Sequence, residues 1–347
     1  MPSISNKTAY VYHPIYLEHN RSSHPENARR LRRIMEVLDG EGVKDRLTLL
    51  DPRPATRQEL QRVHTVRHIQ RVKELSERGG GNLDPDTYVS PRSYDAALMA
   101  AGGVLRALKG LLAGDITNAF ALVRPPGHHA TSDRAMGFCL FNNVAIAAQA
   151  ALAHDAIDRV LIADFDVHHG NGTADIFAAD PNVFYVSTHQ YPYYPGTGAQ
   201  GDVGRGTGEG TMLNVPFPTN VGDKGYRRVL DTLVWPVAER FAPDLILVSA
   251  GYDGHWRDPL ADMELSVTGY ASISRSLVSM AESFCGGRII FSLEGGYNLD
   301  ALAYGVLNAF YALMGEETVV DPIGSSPRLE CPVEPLLEKL RQLHQLD

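Results

Sequence analysis

Short apolar runs alternate with longer amphipathic stretches along almost the whole chain. The runs Thr8–Tyr12, Ala119–Val123, Arg159–Phe165, Val183–Thr188, Thr211–Val215, Leu245–Ser249 and Arg288–Leu293 read as buried strands. The stretches Glu26–Leu38, Pro91–Ala113, Asn142–Ala153, Lys224–Phe241, Val267–Phe284, Leu299–Met314 and Val333–Leu343 read as helices. Ser90-Pro91 offers a helix start, with a capping hydroxyl and proline in the first turn. Such alternation predicts an α/β fold, a parallel sheet with helices on both faces. No repeat or low-complexity linker breaks the pattern, so residues 1–347 read as a single domain. Two Gly-rich segments stand out, Gly79–Gly81 and Gly196–Gly210. The second is long and irregular, the kind of loop that often carries function.

The ends of the strands carry the chemistry. The run from Val160 finishes as Asp164-Phe-Asp166-Val-His168-His169-Gly-Asn171-Gly. Alternation along a strand sets Asp164, Asp166 and His168 on one side. Other runs lead into Arg124-Pro-Pro-Gly-His128-His129, His189, Tyr252-Asp253 and Glu294-Gly-Gly-Tyr297. In a parallel sheet these ends meet at one edge, where open α/β sheets bind ligands. Asp166, His168 and Asp253 then form a three-ligand set with an open position, as in catalytic zinc sites. Iron(II) is an alternative, because a mixed oxygen and nitrogen set does not fix the metal. His128 and His129 supply acid/base capacity, and Tyr297 a phenol beside the metal. These parts suit metal-assisted hydrolysis of an unactivated amide.

Composition narrows the setting. The chain of 347 residues is 44% hydrophobic and carries a formal charge of −9, which argues against a nucleic-acid-binding surface. Cys139, Cys285 and Cys331 lack paired spacing, which excludes a disulfide framework and fits a reducing cytoplasm. The opening Met-Pro-Ser-Ile-Ser-Asn-Lys lacks the apolar core of a leader peptide. No apolar run reaches the ~18 residues of a membrane span.

Six ordered motifs carry a resemblance. They are Arg-Pro-Pro-Gly-His-His from Arg124, Gly137-Phe-Cys-Leu-Phe-Asn-Asn143, Asp-Phe-Asp-Val-His-His-Gly-Asn-Gly-Thr from Asp164, Tyr194-Pro-Gly-Thr-Gly198, Ser-Ala-Gly-Tyr-Asp253 and Leu-Glu-Gly-Gly-Tyr-Asn298. With His24-Pro25-Glu26-Asn27 at its start, the chain resembles the zinc-dependent histone deacetylase family over nearly its whole length. The wider superfamily includes bacterial deacetylase-like proteins and acetylpolyamine amidohydrolases. The resemblance implies the arginase–deacetylase fold, a largely parallel eight-stranded sheet. It implies a motif-bearing core at about 8–315 and a C-terminal helical extension at about 316–347.

Residue by residue, the resemblance implies that Asp166, His168 and Asp253 are zinc ligands. It makes His129 the general base and then acid, His128 its electrostatic neighbour and Tyr297 the group that polarises the carbonyl. Asp164 matches the partner of the first imidazole. Asn171 stands at the partner position of the second, as in the class II pattern, and raises its basicity less than a carboxylate would. Gly137 matches the carbonyl that receives the scissile N–H, Phe138 and Tyr194 the walls of an acyl-lysine channel, and Asp86, with Asp84 as competitor, a rim carboxylate. Potassium is implied at Asp164, Asp166, His168, Ser187 and Thr188, and at an outer site of Phe177, Asp180, Val183 and Thr211. Leu260, in Asp258-Pro-Leu260, stands where some polyamine-selective relatives carry Glu, and favours acyl-lysine, in a protein or peptide, over polyamines or other small acylated amines. A non-catalytic acyl-lysine reader would lack a ligand or the tyrosine, and none is missing here. A homo-oligomer is compatible with these features. His169, His189 and Cys139 are expected to be structural, while Trp256 and Arg257 are expected to shape the rim.

Overall fold

The computed structural model describes residues 7–346. The leader-peptide reading therefore rests on residues that lie almost entirely outside the described range. The strands are β1 Thr8–Val11, β2 Thr48–Leu50, β3 Gly81–Asn82, β4 Tyr88–Val89, β5 Asn118–Ala121, β6 Val160–Asp164, β7 Val183–Gln190, β8 Met212–Phe217, β9 Leu245–Ala250 and β10 Ile289–Leu293. Eight of them form one sheet in the order β2-β1-β5-β10-β9-β6-β7-β8, and every neighbouring pair is parallel. β3 and β4 make a separate antiparallel hairpin. Strands β5, β6, β9 and β10 are buried at every position, as expected of central strands covered on both faces.

All seven predicted strands are present, with ends displaced by up to two residues. β2 was not expected, since it has three residues and two are exposed. Pro216 sits in β8, which lies at the sheet edge, where no neighbour needs its missing N–H. Three helices also lay below the sequence signal: Arg57–Leu60, Val66–Glu77 and Asn171–Phe177. In Val66–Glu77 the buried face includes His68 and Ser76, so its apolar stripe is thin. The Ser90-Pro91 start is corrected: the helix spans Ser93–Leu112, and both residues precede it. Instead, the Ser93 hydroxyl accepts the Ser90 N–H at 2.6 Å, turning the chain before the helix begins. The stretch Lys224–Phe241 is helical but contains a π turn, Leu230–Val234, just ahead of Pro236. Proline cannot donate to the preceding turn, and a wider turn accommodates that gap.

One buried ion cluster ties the N-terminal segment to the sheet. Glu26, Arg30 and Arg124 are each 0% exposed. Arg30 Nη1 lies 3.1 Å from Glu26 Oε1, and Arg124 Nη2 lies 2.7 Å from Oε2, with Arg124 Nε also on this carboxylate. The remaining guanidinium donors reach the carbonyls of Tyr16, His19, Glu294 and Gly296. One carboxylate thus serves two buried cations. Replacing Glu26 with alanine leaves both unpaired, and we expect a loss of about 3–5 kcal/mol of stability in denaturant unfolding. A loss below about 1 kcal/mol would show that the cluster is compensated elsewhere.

Candidate active site

Strands β5, β10, β9 and β6 lie side by side and end in register, with Ala121, Ser292, Ser249 and Asp164 aligned across the sheet. Each runs straight into one of the expected polar segments. The chain after β6 is not a continued strand. It bends, because Asp164 Oδ1 accepts the Asp166 N–H at 3.2 Å and Asp166 Oδ1 accepts the His168 N–H at 2.9 Å. Asp166 and His168 therefore meet through a bend rather than through strand alternation, and Asp164 turns elsewhere.

Asp166, His168 and Asp253 converge, their ligand-type atoms within 4.8 Å of one another. Nδ1 of His168 lies 3.2 Å from Asp166 Oδ1 and 3.2 Å from Asp253 Oδ2. All three residues are buried. Burial acts to lower the His168 pKa, but the two carboxylates outweigh it and hold the imidazole at about 10. The position thus calls for positive charge, and the two oxygens and one nitrogen suit a zinc-type divalent cation. Glycines make the convergence possible. A Cβ at Gly251 would lie 2.1 Å from Asp166 Oδ2, and one at Gly295 would lie 2.1 Å from Asp253 Oδ2.

His128 and His129 stand next to this set, each oriented through Nδ1. His128 Nδ1 faces Asp164 Oδ2 at 3.0 Å, and that oxygen also accepts the Tyr185 hydroxyl at 2.9 Å. Burial works against a charged His128, but Asp164 and Asp166 prevail and raise it to about 10. His129 Nδ1 donates to Asn171 Oδ1 at 2.8 Å, which leaves Nε2 with a lone pair. Burial, and then the neighbouring His128, push the His129 pKa well below the usual imidazole range. The adjacent histidines are thus tuned apart, one toward the charged and one toward the neutral form.

A cavity of about 300 Å³ opens onto these groups. Its walls include Asp86, Gly137, Phe138, Tyr193, Tyr194, Leu260 and Tyr297. Phe138 and Tyr297 meet edge to face with centroids 5.8 Å apart. Tyr194 meets the His129 ring edge to face at 5.2 Å. Burial, and then the charge of Asp253, hold the Tyr297 phenol protonated well above its usual pKa. Of the two rim carboxylates, Asp86 lines the cavity. Asp84 accepts the N–H groups of Asp86 and Thr87, at 3.1 and 2.7 Å, and shapes the turn. Trp256 and Arg257 are not among the cavity walls. Trp256 Nε1 donates to the Gly324 carbonyl at 2.9 Å and Arg257 stacks on the indole, so this pair packs toward the C-terminal segment. His169 and His189 face away from the cavity, toward Thr197 and the Gly198 carbonyl. Ser187 is paired in register with Asp164, and the Thr188 hydroxyl donates to the Asp164 carbonyl at 3.5 Å. Phe177, Asp180 and Val183 follow one another through main-chain bonds at the start of β7, and the Thr211 carbonyl accepts the Tyr185 N–H nearby.

Several residues at the site escaped sequence reasoning. Tyr193 stacks over His168, with centroids 5.8 Å apart. Arg30 holds the Glu294 and Gly296 carbonyls and lies over the Tyr297 ring at 5.2 Å. Glu294 accepts the N–H groups of Gly127 and His128, at 2.7 and 3.1 Å. Asp258 accepts those of Leu260, Tyr297 and Asn298, at 3.0, 2.7 and 3.0 Å. Glu294 and Asp258 belonged to motifs already in view, and their burial is the property that sequence did not show. Arg30 sits in a helix start rich in arginine, with nothing to single it out.

Comparison with known proteins gives the same picture. Residues 24–313 match the histone deacetylase domain family. The chain is 42% identical to a probable deacetylase of Archaeoglobus fulgidus, over 89% of this chain and 86% of that one. It is 38% identical to a histone deacetylase-like amidohydrolase of Pseudomonas aeruginosa, covering 90% and 82% of the two chains. The crystal structure of the HDA15 HD domain superposes with a TM-score of 0.90 at 37% identity, covering 98% of this chain and 94% of that one. A match over most of the chain, with this fold behind it, places the protein in the histone deacetylase domain family.

Proposed function

We propose that the protein is a metal-dependent deacylase that removes acetyl or related acyl groups from the ε-amine of lysine. The observation that carries this is the convergence of Asp166, His168 and Asp253 with His129 and Tyr297 on one cavity. A divalent metal held by the three ligands would polarise the amide carbonyl and lower the pKa of a bound water to roughly 7. His129 Nε2 accepts the proton of the attacking water, because Nδ1–H is committed to Asn171 and the ring is neutral. The same nitrogen returns the proton to the leaving amine. His128 stays charged against Asp164 and favours the negative charge that builds beside it. Tyr297, a protonated phenol in the cavity wall, donates to the oxyanion. Phe138, Tyr193 and Tyr194 flank an extended alkyl stem, the Gly137 carbonyl receives its amide N–H, and Asp86 meets donors at the rim. Carbonyl oxygens around Asp164, Asp166, His168, Ser187 and Thr188, and around Phe177, Asp180, Val183 and Thr211, would take potassium. The three free cysteines support a reducing compartment such as the cytoplasm, although two similar plant proteins are named chloroplastic. Among the described residues, no helix is long and apolar enough to cross a membrane.

Apolar Leu260 in the cavity wall favours acyl-lysine over an acetylated polyamine, because position 260 itself offers no carboxylate to a far ammonium. Comparing kcat/KM on acetyl-lysine peptides, longer acyl-lysines and N-acetylpolyamines tests this. A strong preference for polyamines would reverse the substrate assignment. Tyr297→Phe should keep its metal while kcat falls about 10²–10³-fold; unchanged turnover would remove the phenol from the mechanism. Asn171→Asp places a carboxylate on His129 Nδ1–H and should raise that imidazole's pKa by about 1–3 units. Because the neutral ring is the base, activity is lost as pH falls through this pKa. The acidic limb of the kcat/KM profile should therefore move to higher pH. An unmoved limb would point to a different base.

A further inference from the structure

Three buried groups meet behind the tandem histidines. His128, Cys139 and Glu294 each bring a ligand-type atom, and these atoms lie within 4.8 Å of one another. The residues are 3%, 0% and 0% exposed. They arrive from three separate segments, after β5, ahead of the helix Asn143–Ala151, and after β10. The set shares no residue with Asp166, His168 and Asp253, and it contains sulfur where that set has none. His128 Nδ1 is committed to Asp164, so an ion binds this imidazole by displacing the proton on Nε2. Glu294 Oε2 accepts two main-chain N–H groups, whereas Oε1 meets the Ser249 hydroxyl only at 3.4 Å. The Cys139 thiol donates to the Gly137 carbonyl at 3.3 Å. Both His128 and Cys139 line the 300 Å³ cavity, so an ion has a route in.

We propose that His128, Cys139 and Glu294 form a second, inhibitory site for a thiophilic divalent cation of the zinc or cadmium class. One sulfur, one nitrogen and one oxygen suit such an ion, with the fourth position toward the cavity. Bonds of ~2.0–2.3 Å to a tetrahedral ion draw the three atoms in slightly. Binding breaks the Cys139 S–H bond and the His128 Nε2–H bond, both protons leave to solvent, and the thiolate, the freed imidazole nitrogen and the carboxylate each donate a lone pair. Nothing is oxidised or reduced. Asp166 Oδ2 lies 3.9 Å from His128 Nε2, so buried negative charge flanks both sets and offsets repulsion between two cations. Occupancy removes the His128 Nε2 proton and places the ion between that imidazole and the reacting atoms, which disturbs the charge His128 supplies to the proposed reaction. The inhibition rests on the proposed deacylase reading, but the ion binding does not.

The test uses the whole chain carrying one equivalent of zinc, titrated with Cd²⁺. An ultraviolet thiolate-to-cadmium band should saturate at one added equivalent per chain while turnover of an acetyl-lysine peptide falls in parallel. Cadmium that displaced zinc from Asp166, His168 and Asp253 would add no such band, since those ligands lack sulfur. Cys139→Ser should lose the band and, against its own ion-free baseline, resist inhibition by more than the roughly 10–100-fold affinity loss typical of an outer-shell change. Cys331→Ser should keep both. Glu294→Gln, similar in shape, should weaken the apparent affinity read from the band. Absence of a band, a band that survives Cys139→Ser, or a saturated band with undiminished turnover would each overturn the proposal. A protein without any deacylase turnover that still shows the Cys139-dependent band would instead sink the functional reading and leave the ion site standing.

Discussion

A cluster of buried carboxyl groups at the carboxyl edge of the sheet is the constraint that organises this protein. Asp164, Asp166, Asp253, Asp258 and Glu294 are all buried around the ends of four adjacent strands. A buried carboxylate without partners is costly, so each must be hydrogen-bonded or neutralised. Two imidazoles answer part of the demand, His128 on Asp164 and His168 between Asp166 and Asp253. Main-chain N–H groups answer much of the rest. Gly295 donates to Asp166 at 2.8 Å, and Val167 donates to Asp253 at 3.0 Å. The loops are shaped by these bonds, so the carboxylates fix the backbone that presents the catalytic candidates.

This arrangement explains how the site stays compact. The reactive groups hang on strand ends that are locked by the sheet and by the buried carboxylates. The cavity walls beyond them are aromatic and aliphatic, from Phe138, Tyr193, Tyr194 and Leu260, with Asp86 as the charged exception. A site of this kind holds its chemistry constant while the outer wall decides what enters. The division is visible in the chain itself. The inner groups come from the four central strands, whereas the wall comes from loops around Phe138, Tyr194 and Leu260.

The sequence made the fold and the inner site legible for the same reason. Fully buried parallel strands need unbroken aliphatic runs, and polar residues that end such a run stand out, as at Asp166, His128 and Glu294. An element whose buried face mixes polar and apolar residues gave no such contrast, which hid the helix Val66–Glu77, and the edge strand β2 buries only Leu50. The partners of the inner groups were less visible still. Arg30 holds the Gly296 carbonyl, next to Tyr297, across 266 positions of sequence, and no local pattern reports that. The bend at Asp166 also escaped, because alternation assumes a strand, while side-chain-to-backbone bonds turned the chain.

Asp258 has a consequence for anyone who wishes to redesign this enzyme. Its carboxylate holds the main chain of Leu260 in the cavity wall and the main chain of Tyr297 at the same time. On the proposed function, selectivity and rate are therefore wired through one side chain. A library that varies the loop around Leu260 to admit new acyl amines will also jostle the phenol unless position 258 is left alone. Variation of Phe138 or Tyr194 reaches the same cavity from loops that Asp258 does not hold, but those rings pack directly on Tyr297 and His129.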